Sequence, residues 1–195
     1  MIHLASASPR RSALLRQIDV EHEVRAVDID ETPRPGEAPA PYASRLAAEK
    51  ARALWQRLPA GERRPVLAAD TTVALGDEIL GKPADRDDAL RILARLSGRA
   101  HEVHTAVALL HAGGADARLS TSTVEFREIA PDELDWYWRT GEPAGKAGAY
   151  AVQGHGAIFV RRLCGSYSGV MGLPLYETWE LLAPVLGRTR GGAAT

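Results

Sequence analysis

The chain has 195 residues, enough for one domain or for two lobes that share a core. Its 45% hydrophobic and 25% charged residues mark a globular protein rather than a disordered or fibrous one. With 24 basic against 25 acidic residues, the net charge of -1 argues against an extended nucleic-acid or acidic-membrane footprint. A local basic pocket for a small anion remains compatible with it.

The first apolar run, Ile2-His3-Leu4-Ala5, reads as a short strand. Ser6-Ala7-Ser8-Pro9-Arg10-Arg11 follows, and a helical pattern then continues through Ile18. Ser8 suits a helix cap and Pro9 a first helical position. A helix start here presents free N–H groups and the positive end of a dipole, which attract phosphate. Ser6, Ser8, Arg10 and Arg11 add donors and charge for the same ligand. The plainer reading is a capped helix with solvated arginines.

Glu23 to Val27 alternates like a half-exposed strand and leads into the acidic stretch Asp28-Ile29-Asp30-Glu31. A Pro/Gly-rich loop spans Thr32 to Pro41, and a long helix is expected over Tyr42–Leu58. Val66 to Leu75 is apolar enough for a central strand covered on both faces. Gly76-Asp77 turns it into Glu78-Ile79-Leu80, and Gly81-Lys82-Pro83 leaves that strand. Asp85 opens another helix that ends near Ser97-Gly98. His101–His111 and Arg118–Arg127 read as a hairpin, and Pro131 opens a short helix closed by Thr140-Gly141. Ala149–Val160 reads as mixed strand and glycine turn, and a last helix covers about Leu175–Leu186. Strands and helices interleave without strict βαβ regularity. An α/β domain over residues 1–187, with a mixed, strongly twisted sheet, flanking helices and a central cleft, is therefore expected. Residues 188–195 read as a flexible tail.

The single cysteine, Cys164, excludes an internal disulfide and a cysteine-pair zinc site, and reads as a packing residue. No apolar run approaches the roughly 20 residues needed to cross a bilayer. A soluble cytoplasmic protein is expected.

Several residues are out of place for folding alone. Asp70 ends an apolar run inside a probable core strand, where a carboxylate is costly without a partner. It reads either as a group facing cations or a metal, or as an Asp bonded to the nearby Thr71 or Thr72 backbone. Lys50 shares a stripe with Leu46 and Leu54, one turn apart on each side. Such a lysine either snorkels to the edge or points into a cleft. Lys82 follows the hairpin that Asp70 begins, so hairpin geometry brings it towards Asp70; a solvated turn lysine is the alternative. Asp28, Asp30 and Glu31 offer oxygen ligands suited to magnesium or manganese, or form a solvated acidic loop. His101 and His104 face opposite sides of a strand, so sharing a metal is not expected of them. Trp136, Tyr137 and Trp138 read as packing for a short helix. The phosphate loop, dinucleotide turn and nucleophile elbow of common enzyme classes are missing. What remains suits metal-assisted hydrolysis of a phosphoanhydride.

Ser6-Ala7-Ser8-Pro9-Arg10-Arg11, Ala69-Asp70-Thr71, Gly81-Lys82-Pro83, Leu96-Ser97-Gly98 and Lys146-Ala147-Gly148-Ala149-Tyr150-Ala151-Val152-Gln153-Gly154 together resemble the Maf family of nucleoside triphosphate pyrophosphatases. So does Gly165-Ser166-Tyr167 followed by Gly172-Leu173-Pro174-Leu175. The resemblance implies a fold akin to the inosine triphosphate pyrophosphatase type and a divalent metal, Mg or Mn. It implies cleavage of a nucleoside triphosphate to the monophosphate and pyrophosphate. Homodimers are common in such families. The Ala-Tyr-Ala-Val-Gln-Gly stretch resembles the branch acting on dTTP and UTP, and differs from the branch acting on 7-methyl-GTP. By resemblance Asp70 accepts a proton, and Arg10, Thr71 and Gln153 bear on substrate choice. Glu31, with Asp70, is expected to hold the metal. Lys50 and Lys82, with Arg10, are expected to offset phosphate charge. The family's link to septum formation also leaves open a nucleotide-sensing regulator whose catalysis is incidental.

Overall fold

The computed structural model describes residues 1–188, so the expected tail beyond Arg188 lies outside the described residues. Its strands are β1 (Ile2–Leu4), β2 (His22–Val24), β3 (Val66–Leu75), β4 (Glu78–Leu80), β5 (Ala100–His111), β6 (Gly114–Phe126) and β7 (Val160–Cys164). Its helices are α1 (Pro9–Gln17), α2 (Pro39–Arg57), α3 (Arg86–Leu96), α4 (Pro131–Arg139), α5 (Tyr167–Met171) and α6 (Leu175–Val185). The sheet order is β2-β1-β3-β5-β6-β7, with β4 paired to β3 off that path. The pairs β1–β2 and β1–β3 are parallel, and the remaining pairs are antiparallel. The expected mixed α/β sheet with flanking helices is therefore present.

β3 is the strand around which the site is built. It pairs with β5 along nearly its whole length, placing Asp70 opposite Ala106 and Thr71 opposite Thr105. Successive side chains on a strand point to opposite faces. Val66 and Ala68 pack under α2 with Ala43, Ala47 and Ala51. Leu67 and Ala69 pack on the other face with Leu15 of α1 and Leu182 of α6. The alanines of α2 and of the strands let helix and sheet approach closely. A third cluster joins Val73 to Ile92 and Leu93 of α3, Phe126, and Tyr137 of α4.

The local chemistry explains most boundaries. Asp85 caps α3 by accepting from the Asp88 N–H at 2.9 Å. Glu133 of α4 accepts from the Ala130 N–H at 3.0 Å. Gly148 is held at φ 69°, where a Cβ would stand 2.9 Å from a Val73 methyl, so only glycine fits.

Four expectations are corrected. α2 begins at Pro39 rather than Tyr42, because Pro39 and Pro41 occupy its first turn, where no N–H is needed. β2 stops at Val24 instead of reaching Val27. Ala149–Val160 holds no strand before β7 starts at Val160; it carries the 3-10 turns Ala147–Ala149 and His155–Phe159. Cys164 is exposed on β7 rather than packed. The short helix α5, which sequence patterning did not suggest, is capped by the Ser166 hydroxyl, which accepts from the Gly169 N–H at 3.0 Å.

Both strand histidines are packing residues. His101 is 2% exposed and stands edge-on to Phe126 and Tyr150 at 4.9 and 5.4 Å. Burial pushes its pKa down to about 4 from the ordinary 6.5. The unfolded chain therefore binds a proton that the folded chain refuses. Stability from this group is present above pH 6.5 and is lost as pH falls from 6.5 towards about 4. Replacing His101→Gln should flatten that part of the stability–pH curve by on the order of 2 kcal/mol. Urea midpoints of both proteins across the window check this, and parallel curves would refute it.

Candidate active site

A cavity of about 510 Å³ opens where β3, α2, the start of α1 and the loop after β4 meet. Its floor is an ion-pair network. Lys50 Nζ lies 2.7 Å from Asp70 Oδ1 and 2.6 Å from Glu31 Oε1. Lys82 Nζ lies 3.1 Å from Glu31 Oε2. Lys50 and Asp70 are buried, at 9% and 7% exposure, so their attraction acts with little solvent screening. Among the described residues, the hydrogen-bond partner of Asp70 Oδ2 is the Thr72 hydroxyl, at a long 3.4 Å. Burial raises the Glu31 pKa, but the hydrogen bonds and charges of Lys50 and Lys82 outweigh it and hold it below the usual carboxylate value.

The pleat of β3 accounts for this placement. Asp70 and Thr72 face α2, where the stripe of Leu46, Lys50 and Leu54 is buried. Lys50 therefore points inward to a partner rather than snorkelling out.

Thr71 faces the opposite way, towards Arg11. The Arg11 guanidinium donates from Nε to the Gly172 carbonyl at 2.7 Å, from Nη1 to the Ser6 hydroxyl and from Nη2 to the Thr71 hydroxyl, both at 3.2 Å. Thr105 ties Thr71 back to the Gly169 carbonyl, at 3.1 and 2.8 Å. Burial lowers the Arg11 pKa, Asp70 opposes that shift, and neighbouring Arg10 adds to it. Arg10 donates to the Met171 carbonyl at 3.2 Å, and burial lowers its pKa against the pull of Glu142.

Ser8 caps α1 by position only, because its side chain makes no cap hydrogen bond. The Ser8 N–H donates to the Ser6 hydroxyl at 3.2 Å. The helix start, with Ala7, Ser8 and Pro9, lines the cavity wall. Such a wall is suited to an anion.

The structure brings together Ser6, Ser8, Arg10, Arg11, Glu31, Lys50, Asp70, Thr71 and Lys82 around this one cavity. Lys82 reaches it through Glu31 rather than by the contact with Asp70 that hairpin geometry suggested. Gln153 is exposed and is absent from the cavity lining, unlike the other substrate-binding candidates. Asp28 and Asp30 are exposed, and only Glu31 of the acidic stretch enters. Sequence reasoning missed Lys146 and Tyr150, which line the cavity. The signal for Lys146 was its place at the head of the Lys-Ala-Gly-Ala-Tyr run.

No group of three or more His, Cys, Asp or Glu side chains that could hold a metal occurs among the described residues. Glu31 and Asp70 do converge on one ammonium nitrogen. Two carboxylates suit a magnesium-like ion, which would take its remaining ligands from water and substrate oxygens. They do not form an all-protein cage.

The Maf-like protein family model matches residues 1–185, and the chain belongs to that family. The chain is 50% identical to a dTTP/UTP pyrophosphatase of Nitrosomonas europaea, over 93% of this chain and 92% of that one. It is 53% identical to the protein of the same name from Myxococcus xanthus, over 93% and 91%, and 48% identical to that from Pseudoalteromonas atlantica, over 94% and 96%. Among solved structures, the Staphylococcus aureus Ham1 protein aligns over 67% of this chain and 72% of its own at 15% identity, with a TM-score of 0.42. No helix among the described residues is long and apolar enough to cross a membrane.

Removing Lys50 leaves Asp70 buried without its cation. The substitution Lys50→Met should destabilise the protein by about 3 kcal/mol, because breaking one side of a buried pair exposes the full desolvation cost of the other. Chemical denaturation at neutral pH measures it. An unchanged midpoint would show that water, rather than Lys50, satisfies Asp70.

Proposed function

We propose that this chain is a metal-dependent pyrophosphatase that hydrolyses dTTP and UTP to the nucleoside monophosphate and pyrophosphate. Family membership and relatives near 50% identity over most of both chains support the activity. The observation that carries the site assignment is the buried Asp70–Lys50–Glu31 network on the cavity floor, facing a wall of cations and helix N–H groups.

The start of α1, with Ser6, Ser8, Arg10 and Arg11, binds the phosphate oxygens. Lys50 and Lys82 face the negative charge that grows on the phosphates as the α–β bridge breaks. Asp70 orients the attacking water and takes its proton at Oδ2, the oxygen that Lys50 does not engage. The water oxygen bonds to the α phosphorus, and pyrophosphate leaves with the bridging oxygen. Glu31 and Asp70 would hold a divalent ion, which when bound would supply further neutralisation of the triphosphate.

Thr71 and Gln153 bear on base choice. A Gln side chain carries one donor side and one acceptor side, which matches the N3–H and adjacent carbonyls of uracil and thymine. A cytoplasmic setting fits the single cysteine, which suits a reducing compartment.

A screen of nucleoside triphosphates with pyrophosphate detection, in a magnesium and manganese series, tests the reading. dTTP and UTP should lead. Asp70→Asn should lower turnover by about 10²–10⁴-fold while nucleotide binding persists. Near-normal turnover in that variant would remove Asp70 from the proton-acceptor role.

A further inference from the structure

The stretch between α4 and β7 carries Lys146, Tyr150 and Gln153, yet it has almost no regular structure to hold it. Its near end is docked by the Gly148 N–H, which donates to the Gly81 carbonyl at 3.1 Å beside Lys82. Its far end is gathered on one side chain, Glu142. The Glu142 carboxylate accepts from the His155 N–H at 2.8 Å, the Gly156 N–H at 2.9 Å and the Tyr137 hydroxyl at 2.6 Å. The His155 ring nitrogen Nδ1 stands 3.4 Å from the same carboxylate. The Tyr137 hydroxyl in turn accepts from the Ala151 N–H at 3.1 Å. The Glu142 backbone carbonyl accepts from Lys146 Nζ at 2.5 Å.

This is a built arrangement rather than an incidental surface contact. A Cβ on Gly154 would stand 1.9 Å from Glu142 Oε2, and one on Gly156 would stand 2.6 Å from the Tyr137 hydroxyl. Two glycines therefore let the backbone close around the carboxylate. The Glu142 side chain is only 14% exposed. Burial raises its pKa, but the donated hydrogen bonds outweigh that and hold it below the ordinary value, so it stays ionised at neutral pH. Its charge also acts on Arg10 and Lys146, the two cations on this side of the cavity.

We propose that Glu142 is a positioning residue for base selection: it fixes the course of the segment from Tyr150, which lines the cavity, to Gly156, and with it the position of Gln153. This rests on the pyrophosphatase reading above. Among the described residues Glu142 makes no hydrogen bond or ion pair with Asp70, Lys50, Lys82 or Arg11, and it reaches Arg10 only through space. Any loss through Arg10 acts on every nucleotide alike, whereas loosening the segment should blur the choice of base. Glu142→Gln is the informative change. It keeps the size of the side chain but turns one acceptor oxygen into an N–H₂ group that faces backbone donors.

Two measurements on the full-length protein decide it. The first is amide hydrogen exchange, which needs no substrate. The His155 and Gly156 amides should exchange at least about tenfold faster in Glu142→Gln, while strand amides such as those of Ala68 and Val107 keep their rates. The second is steady-state kinetics on dTTP and dCTP. KM for dTTP should rise about tenfold with kcat changed by less than about threefold, and the dTTP-over-dCTP preference should fall about tenfold. Should Glu142→Gln fail to fold, Tyr137→Phe removes one donor from the carboxylate and the acceptor of the Ala151 N–H, and should give the same pattern more weakly. Unchanged exchange at both amides would overturn the clamp. Faster exchange with an unaltered base preference would reduce Glu142 to a structural support and overturn the proposal. A wild-type protein that releases pyrophosphate from no nucleotide fails in the kinetic arm alone, which separates failure of the underlying reading from failure of the clamp.

Discussion

One ammonium group organises this molecule. Lys50 Nζ sits within 2.7 Å of carboxylates from a loop and from the central strand, segments that lie far apart along the chain. Without that cation, the buried Asp70 carboxylate would lose its ion-pair partner and face Glu31 across the hollow. Burying an ion pair seldom adds stability over apolar packing, since desolvation consumes the Coulombic gain. Its presence in the middle of a strand is therefore better explained by chemistry than by folding. The surrounding alanines of α2, β3 and β5 supply the rigid, closely packed frame that holds it.

The pleat of β3 then divides labour with no added machinery. Even positions send Asp70 and Thr72 towards α2, whereas Thr71 points to the other face and meets Arg11. Arg11 is anchored entirely by neutral acceptors, and the nearby carboxylate acts on it through space. A charge held by fixed dipoles, rather than neutralised by a contact ion pair, keeps much of its field available to an incoming anion. In the proposed reaction, the acid and Thr71, the partner of the phosphate-facing Arg11, are adjacent residues of one strand projected in opposite directions. The two cannot drift apart without breaking the β3–β5 ladder.

Most of the frame was legible in the sequence, and the reasons are local. Val66–Leu75 and the Leu46–Lys50–Leu54 stripe obey plain periodicities, so a strand acid and an inward lysine stood out against them. The errors share a different cause, namely that contacts across the fold override local signals. Lys82 binds Glu31 because the loop after β2 folds over the cavity, and nothing in hairpin geometry states that. Asp28 and Asp30 neighbour Glu31 in sequence but only Glu31 turns inward. Cys164 lies on the terminal strand of the sheet order, where a small apolar residue has nothing to pack beneath. Prolines taken as loop markers instead open α2, because a first turn tolerates them.

The least legible element is also the one with the least regular backbone. Between α4 and β7 only two short 3-10 turns satisfy N–H groups by helix bonds, so side chains must accept several of the others. Glu142 and the Tyr137 hydroxyl accept three of these N–H groups, and glycines at 154 and 156 make room for that contact. A propensity argument reads the same glycines as turn markers and stops there. Irregular backbone tied to a single carboxylate can be re-aimed by small changes without disturbing the sheet. The phosphate-facing groups, by contrast, rest on a strand and two helices. On the proposed reading, chemistry held on the rigid ladder and a base contact held on a side-chain clamp would let the choice of base change while leaving Asp70 and Lys50 where they are.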